Sequence, residues 1–381
     1  MSITLHTYYE SLEIVRERHL LMMKFGTPHR VLTTCRLNGG LRDSIRCFIN
    51  HQICEPTNDH ASKAGKLAMQ DPEGYHRTVS EQAGFSPEEV ALFSTAANMN
   101  NAGYSHQQSD DLEVVAIVTA GVETNAGCAG DPAAYCETPE GFISTGIRNN
   151  LSPGTIVTLV FVNRELTESS MVVASTVATE AKSAVLRELN VGSNYSDRIA
   201  TGTGTDQIGI ACQLGGFAYR DAGKHSRLGE LIGKSVQEAL KKALKLQNGM
   251  TPISQRKITV SLKRFGISEE MLIEGVSALL DQPHKARWEN NWIGVLHDCS
   301  VSAALNALVH VWELCQMGIY PPDHAAELIS NQAAVLVCSV SSQYDDYETS
   351  RSRIARHFIN GPIPLAELIF QSIATGFEEK W

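Results

Sequence analysis

Hydrophobic and polar positions follow different patterns in two parts of the chain, and the change falls near residue 250. Before that point, short β-branched runs alternate with helical repeats and many glycines, whereas the later patterns are almost all helical. Gly and Pro follow a long helical repeat in the sequence NGMTPIS at 248–254. We therefore expect two domains, one over residues 1–250 and a helical one of unknown role over residues 251–381.

Unbroken apolar runs in the first part predict strands at the centre of a sheet. Residues 112–120 (LEVVAIVTA) and 155–162 (TIVTLVFV) are rich in β-branched residues and lack polar alternation, which is typical of strands covered on both faces. Residues 30–36 and 207–212 are shorter strand candidates. The expected fold is α/β: a layered sheet with flanking helices and Gly-rich loops, followed by a mostly helical C-terminal region.

Apolar residues at three- and four-residue steps predict amphipathic helices in both parts of the chain. The predicted helices cover residues 168–189, 226–246, 269–280, 301–317, 323–340 and 365–378. A further helix is predicted over residues 86–98, because Ser86 and Glu89 can form a capping box with Pro87 at the first helical position.

The charge balance and the lack of long apolar runs exclude two classes of partner. The chain has 32 Lys and Arg against 42 Asp and Glu, and its net charge of −10 has the wrong sign for following a phosphate backbone. No run approaches the roughly 18 to 20 apolar residues of a membrane span, and the N-terminus lacks the apolar segment of a signal peptide. We expect a cytoplasmic protein that binds no nucleic acid and does not insert into a membrane.

Motifs for metal and phosphate binding are incomplete. The nine cysteines include no Cys-x-x-Cys pair, so a structural zinc site has no support and buried thiols are expected. The stretch GELIGKS at 229–235 is one residue short of a phosphate-binding loop and lies inside a predicted helix. His297 and Asp298 are adjacent, as in one class of metal-dependent phosphohydrolase, but an Asp at a helix start beside a surface His is the favoured interpretation. We expect the protein itself to bind no metal and no cofactor.

Glycine and small polar residues concentrate in five segments beside strand ends. These are NGGL (38–41), INH (49–51), TAGVETNAGCAGD (119–131), ATEAK (178–182) and ATGTGTD (200–206). Such a density of glycine indicates that the backbone approaches a ligand, although tight turns capped by threonines are the alternative. Lys182 lies at the edge of the apolar stripe of its predicted helix, where it either reaches solvent or points into the site. Glu180 lies on the opposite side, so the two serve one pocket only if the helix is covered on both sides.

These segments, in this order, resemble the adenosylcobinamide amidohydrolase family of cobamide salvage. The likeness extends to a Gly-Thr-Ile strand start at 154–156 and to TVATEAKSAVLREL and YRDAGKHSRLGELIGKSV, and it covers roughly residues 25–246. It implies hydrolysis of the amide that joins a corrin-ring propionate to aminopropanol, giving adenosylcobyric acid and 1-amino-2-propanol. Cobalt would enter only as part of the corrinoid substrate. The family commonly reads Gly-Thr-Ile-Asn, whereas this chain has Val157, so a polar group expected near the substrate is missing.

Amide hydrolysis needs an activated nucleophile, donors for the tetrahedral oxyanion and an acid for the departing amine. The candidate catalytic residues are Asp206, Asp131, Lys182, His51, His225 and Glu180. Asp206 or Asp131 would activate a water, which is favoured over a threonine of ATGTGTD as the nucleophile. Amides near Gly202 and Gly204, together with Lys182, would stabilise the oxyanion. His51 or His225 would protonate the amine, since imidazole titrates near neutral pH.

The remaining polar and glycine positions are assigned to binding the large, amide-fringed corrin. The candidate substrate-binding residues are Asn38, Gly39, Gly40, Asn50, Asn125, Thr201, Gly202, Thr203, Gly204 and Thr205. Two alternatives to this function stay open: a corrinoid carrier or sensor without catalysis, and an amidohydrolase that acts on another corrinoid or amide. The expected partner is a corrinoid small molecule, and homo-oligomer formation also stays open, because sequence does not reveal which helical faces are exposed.

Overall fold

The computed structural model describes residues 2–54, 63–139, 141–146, 154–358 and 363–380. The chain divides into two compact units, Met1–Thr251 and Pro252–Trp381. Within the described residues, all strands lie in the first unit, whereas helices occur in both.

The strands of the first unit form two large sheets and two small ones. They are β1 (Ile3–Tyr8), β2 (Leu12–Glu17), β3 (Leu20–Phe25), β4 (His29–Thr33), β5 (Gly40–Arg42), β6 (Cys47–Gln52), β7 (Val90–Thr95), β8 (Gly103–Ser109), β9 (Leu112–Ala120), β10 (Ala126–Gly127), β11 (Tyr135–Thr138), β12 (Gly141–Ser144), β13 (Ile156–Val162), β14 (Gly202–Thr203) and β15 (Gln207–Gln213). The first sheet has the order β1-β2-β3-β6-β7, and the second has the order β5-β4-β15-β13-β9-β8. The small sheets are the antiparallel pairs β10-β14 and β11-β12.

Helices cover the sheets of the first unit and make up most of the second. Those of the first unit are α1 (Lys63–Gln70), α2 (Pro72–Gln82), α3 (Glu168–Glu188) and α4 (Arg227–Asn248). Those of the second are α5 (Ile258–Leu262), α6 (Glu269–Leu279), α7 (Gln282–Leu296), α8 (Cys299–Gln316), α9 (Pro322–Ser341), α10 (Tyr347–Ala355) and α11 (Leu365–Lys380). The structure thus confirms the mixed α/β fold with a mostly helical C-terminal region.

The two large sheets of the first unit pack face to face. Phe48 and Phe93 from the first sheet share a core with Phe161 from β13 of the second. The Phe48 ring lies 5.3 Å from the Phe93 ring and 5.7 Å from the Phe161 ring, centroid to centroid. The outer face of the first sheet packs against α1 and α2, and that of the second packs against α3 and α4. The first unit is therefore layered as helix, sheet, sheet, helix.

This layering explains the unbroken apolar runs of β9 and β13. Val115 and Ile117 of β9 face the core between the sheets, whereas Val114 and Val118 face α3 and α4. Because successive strand residues point to opposite faces, a strand with a core on both sides is apolar at most positions. Among the exceptions, Thr119 and Thr158 are buried. The two central strands predicted from sequence are confirmed.

The predicted helix over residues 86–98 is wrong. Pro87–Glu89 forms one turn of 3-10 helix, and Ser86 makes no side-chain capping bond. The next residues form β7, which pairs in parallel with β6. Phe93 of β7 faces the core between the sheets, and Val90 faces α2. Pairing and burial on both faces therefore override the local capping signal.

The incomplete motifs for phosphate and metal binding have structural explanations. GELIGKS lies inside α4, as the periodicity predicts. Asp298 caps the N-terminus of α8 and accepts hydrogen bonds from the amides of Ser300 at 2.7 Å and Val301 at 3.1 Å, which confirms the helix-start interpretation. The buried cysteines are Cys35, Cys47, Cys54, Cys212 and Cys338, whereas Cys136 and Cys299 are exposed.

The second unit has its own hydrophobic core. The ring of Trp288 packs edge-on against the ring of Phe377 with 5.2 Å between centroids, and both side chains are fully buried. Among the described residues no single helix is long and apolar enough to cross a membrane. The α7 and α8 helices meet that length and composition test only together, as a pair bent by 79°.

Gly209 in β15 provides a test of the sheet-on-sheet packing. A Cβ at this position would lie 2.7 Å from Phe93 Cζ and 2.9 Å from Phe48 Cε2, and these buried rings have no room to retreat. Gly209→Ala is therefore expected to lower the free energy of unfolding by about 1–3 kcal/mol in urea denaturation. The matched control is Gly233→Ala in α4, where the added methyl meets nothing within 4 Å. This change is expected to raise stability by about 0.5–1 kcal/mol. Equal stability of Gly209→Ala and the wild type would contradict the packing.

Candidate active site

Three chain segments meet where β9 ends and where β13 and β15 begin, at one end of these strands in the second sheet. β9 ends at Ala120, which pairs with Ile156 at the start of β13, and the next residue, Val157, pairs with Gln207 at the start of β15. The loop after β9 and the ATGTGTD loop before β15 therefore leave the sheet on either side of β13, and they pair with each other through β10 and β14. With α3 and Tyr195 they line a cleft of about 850 Å³. This volume is within the usual range for small-molecule sites.

Asp206 anchors the ATGTGTD loop. Its Oδ1 accepts hydrogen bonds from the Thr203 amide at 3.0 Å, the Thr203 hydroxyl at 2.6 Å and the Ile156 amide at 3.3 Å. Its Oδ2 forms an ion pair with the Lys182 ammonium of α3. One carboxylate thus connects the loop, the start of β13 and α3.

The Lys182–Asp206 ion pair lies in the cleft wall and is largely shielded from solvent. The side chains of Lys182 and Asp206 are 12% and 20% exposed. Gly202 is needed for their approach, because a Cβ there would lie 2.1 Å from Asp206 Oδ2 and 2.8 Å from Lys182 Nζ. The structure therefore turns Lys182 toward the cleft, one of the two orientations that the helix pattern left open.

Asp131 anchors the loop that follows β9. Its Oδ2 accepts hydrogen bonds from the Cys128 amide at 2.7 Å and the Ser193 hydroxyl at 2.6 Å, and its Oδ1 accepts one from Arg198 at 3.1 Å. Burial alone would raise the pKa of this carboxyl, but hydrogen bonds from Ser193, Ser196, Cys128 and Arg198 outweigh it and lower the pKa to about 2. So weak a base is poorly suited to activating a water at neutral pH. The geometry supports a role in holding the loop.

A network of amide and hydroxyl groups surrounds the peptide bond between Gly154 and Thr155. Asn125 Nδ2 donates to the Gly154 carbonyl at 2.7 Å, and the Tyr195 hydroxyl donates to Asn125 Oδ1 at 2.5 Å. The Thr205 hydroxyl donates to the same carbonyl at 2.8 Å and lies 2.6 Å from the Thr155 hydroxyl. Four residues of these networks are not among the site residues predicted from sequence: Thr155, Ser193, Tyr195 and Arg198. The Gly-Thr pair at a strand start was the only signal for Thr155.

Three candidate catalytic residues do not line the cleft. His51 lies in β6 of the first sheet, where its Nδ1 is 2.7 Å from the Tyr75 hydroxyl, and burial lowers its pKa to about 4. His225 is exposed just before α4. Glu180 pairs with Lys224 at 2.7 Å on the exposed side of α3. His51 is thus part of the first sheet, and His225 and Glu180 lie on the outer surface, so none of the three lies with the cleft residues.

Four candidate substrate-binding residues also lie outside the cleft wall. The Asn38 amide donates to the carbonyls of Pro87 and Val90 at 2.8 and 2.9 Å. A Cβ on Gly39 would lie 2.0 Å from the Cys35 carbonyl oxygen, and Gly40 has a φ of +77°, so both glycines serve a tight turn. The buried Asn50 amide donates to the Thr119 hydroxyl at 2.9 Å. The other candidates, Asn125 and residues 201–205, do line the cleft.

Val157 does not face the cleft. It is fully buried in the core between the two sheets, together with Leu159 and Phe161. The expectation that Val157 removes a polar group near the substrate is therefore wrong. Among the described residues no group of three or more His, Cys, Asp or Glu is placed to hold a metal ion.

Most of the first unit matches the model of a known protein family. The adenosylcobinamide amidohydrolase (CbiZ) model matches residues 5–252. The chain belongs to this family. The match includes the N-terminal strands and leaves residues 253–381 outside it. An uncharacterised protein of Methanocaldococcus jannaschii, MJ1613, is 31% identical over 237 residues, which is 61% of this chain and 88% of the relative.

Two solved structures share a low overall similarity with this chain. The PH0078 protein from Pyrococcus horikoshii OT3 has a TM-score of 0.29 and 10% identity, over 64% of this chain and 83% of that one. A beta-aminopeptidase from Burkholderia sp. has a TM-score of 0.27 and 14% identity, over 63% and 82%.

The Asp131 contacts predict a pH-dependent contribution to stability. The folded-state pKa of about 2 lies below the usual 3.8, so the stabilisation is complete above about pH 4 and is lost as the pH falls toward 2. Asp131→Asn is therefore expected to be less stable than the wild type at pH 7, with a difference that shrinks between pH 4 and pH 2. Urea denaturation followed by circular dichroism at each pH measures this. Asp110→Asn, in the exposed turn between β8 and β9, is the control and should match the wild type at pH 7. A difference that stays constant down to pH 2 would refute this assignment.

Proposed function

We propose that the protein hydrolyses the amide between a corrin-ring propionate and aminopropanol in adenosylcobinamide, giving adenosylcobyric acid and 1-amino-2-propanol. Family membership supports the reaction class. The observation that carries the proposal is the cleft wall, where the Lys182–Asp206 pair fixes the ATGTGTD loop beside Asn125. When an amide is hydrolysed, its carbonyl oxygen becomes negative in the tetrahedral intermediate. A positive charge and neutral hydrogen-bond donors beside that oxygen stabilise it.

Lys182 is the cationic side chain among the residues that line the described cleft. Its charge, held in place by Asp206, stabilises the tetrahedral oxyanion and supplies a proton toward the leaving amine. Because His51 and His225 lie outside the cleft wall, this proposal assigns them no part in the reaction. Asp206 acts as a positioning residue, since three donors and an ammonium already occupy its oxygens.

The nucleophile in this proposal is a hydroxyl group. Asp131 and Asp206 already accept several hydrogen bonds each, so their oxygens hold the two loops and have little free capacity to bind and orient a water. The Thr155 and Thr205 hydroxyls lie 2.6 Å apart, and Thr205 lines the cleft. Hydroxyls of this kind can attack an amide carbon. A threonine hydroxyl is therefore favoured over the activated water preferred from sequence, and Thr155 joins the threonines of ATGTGTD as a candidate.

Release of 1-amino-2-propanol from adenosylcobinamide, followed by mass spectrometry, tests the proposal. Lys182→Met and Asp206→Asn are each expected to lower kcat at least about 100-fold, because both disturb the charge that stabilises the oxyanion. Lys241→Met is the matched control, since Lys241 pairs with Glu188 at 2.7 Å on the exposed surface of α4. It should retain wild-type activity.

Two outcomes would overturn the proposal. Binding of adenosylcobinamide without release of aminopropanol by the wild type would favour a carrier or sensor. Unchanged kcat in both Lys182→Met and Asp206→Asn would place the reaction elsewhere. Far-ultraviolet circular dichroism of each variant establishes that the fold is retained.

A further inference from the structure

The carbonyl group of Gly154 lies in a site that resembles an oxyanion hole. It accepts hydrogen bonds from two side chains, Asn125 Nδ2 at 2.7 Å and Thr205 Oγ1 at 2.8 Å. Neutral donors of these types stabilise the developing negative oxygen when a carbonyl is attacked. The next residue, Thr155, carries a hydroxyl. A carbonyl, its donors and a potential nucleophile are thus assembled around one peptide bond of the chain itself.

The surrounding backbone holds this peptide bond in place. The Thr155 carbonyl accepts a hydrogen bond from the Gly121 amide at 3.1 Å, and the Ile156 amide donates to Asp206 at 3.3 Å. A Cβ on residue 154 would lie 2.8 Å from the Gly121 carbonyl oxygen and 2.9 Å from Asn125 Cβ. Only glycine therefore fits before Thr155 without displacing Asn125 from the carbonyl.

The hydroxyl pair provides a path for the proton. Thr205 has one hydroxyl hydrogen and donates it to the Gly154 oxygen, so Thr155 is the donor in the 2.6 Å pair. When Thr155 Oγ1 attacks the Gly154 carbon, its proton can pass to Thr205 while the Thr205 proton passes to the Gly154 oxygen. The tetrahedral intermediate then forms without a net charge.

We propose that the Gly154–Thr155 bond is a self-processing site. Thr155 Oγ1 bonds to the Gly154 carbon, and the intermediate collapses as its hydroxyl proton moves to the Thr155 nitrogen and the C–N bond breaks. This leaves an ester between Gly154 and Thr155 Oγ1 and a free α-amine. Water then hydrolyses the ester and restores the Thr155 hydroxyl with a Gly154 carboxylate. The whole reaction consumes one water and needs no other reactant.

Cleavage would make Thr155 the nucleophile of the proposed amidohydrolase. Thr155 would become an N-terminal residue whose own amine serves as the base for its hydroxyl. Asn125 and Thr205, released from the Gly154 carbonyl, both line the cleft and would bind the substrate's amide oxygen. This second step rests on the proposed function, whereas the cleavage itself needs no corrinoid.

Intact-mass spectrometry of the purified full chain under denaturing conditions tests the self-processing. The expected result is two polypeptides, residues 1–154 and 155–381, with Thr155 as the new N-terminus. Thr155→Ala should remain one chain, and Thr155→Ser should cleave, because it keeps the hydroxyl. The exposed α3 residue Thr176 supplies the control Thr176→Ala, which should cleave like the wild type. Three other Gly-Thr bonds, at 26–27, 202–203 and 204–205, should stay intact.

A single uncut chain after prolonged incubation at neutral pH would overturn the self-processing proposal, as would equal cleavage of Thr155→Ala by a contaminating protease. An uncut wild type that still releases aminopropanol would refute the self-processing and leave the proposed function standing. A cleaved wild type that releases no aminopropanol would do the reverse. The two proposals therefore fail separately.

Discussion

The Asp206 carboxylate binds donors from its own loop and from two distant parts of the chain. Thr203 contributes its amide and hydroxyl from the same loop, Ile156 contributes its amide from β13, and Lys182 contributes its charge from α3. A carboxylate that is four-fifths shielded from solvent needs such partners, since an unpaired buried charge is strongly destabilising. Satisfying this one charge therefore fixes where the loop, the strand and the helix lie around the cleft.

Because buried carboxylates need hydrogen-bond partners, only some groups of the site remain available for catalysis. Asp131 and Asp206 are held by several donors and serve as anchors, so the groups that remain to act are neutral hydroxyls, amides and one ammonium. Hydrogen bonds to charged groups contribute about 1.5–3 kcal/mol each, which stabilises the conformation of these two loops. Donors held in this way need little rearrangement when a carbonyl oxygen gains charge.

Sequence alone could predict the features that depend on local pattern. The cores on both faces of β9 and β13 favour apolar residues at most positions, and that pattern is visible in the chain. Helix periodicity placed Lys182 and Glu180 on opposite sides, and the structure has Lys182 at the cleft and Glu180 beside Lys224 on the surface. Both results follow from geometry within a single element.

The rest depends on contacts between segments far apart in sequence. Asn125, Thr155 and Thr205 come together only because β9 ends where β13 and β15 begin in the sheet. Spacing along the sequence does not predict these contacts. The same limit explains why His51 and Asn38 were selected from sequence although neither lines the cleft. Their residue types suit catalysis and binding, but their partners, Tyr75 of α2 and the carbonyls of Pro87 and Val90, do not line the cleft. Residue type predicts what a group can do, whereas topology decides where it acts.

The structure shows which contacts depend on Val157, where the chain departs from the family pattern. Val157 pairs with Thr119, and Thr119 accepts a hydrogen bond at 2.9 Å from Asn50 on the facing sheet. Within the described residues the buried Asn50 Oδ1 accepts no hydrogen bond, which costs about 1–3 kcal/mol for a desolvated polar atom. An Asn at 157, as the family commonly has, would lie next to this pair and bring it a donor. The exchange for Val therefore changes the polar contact between the sheets beneath the site, and it leaves the groups that face the cleft in place.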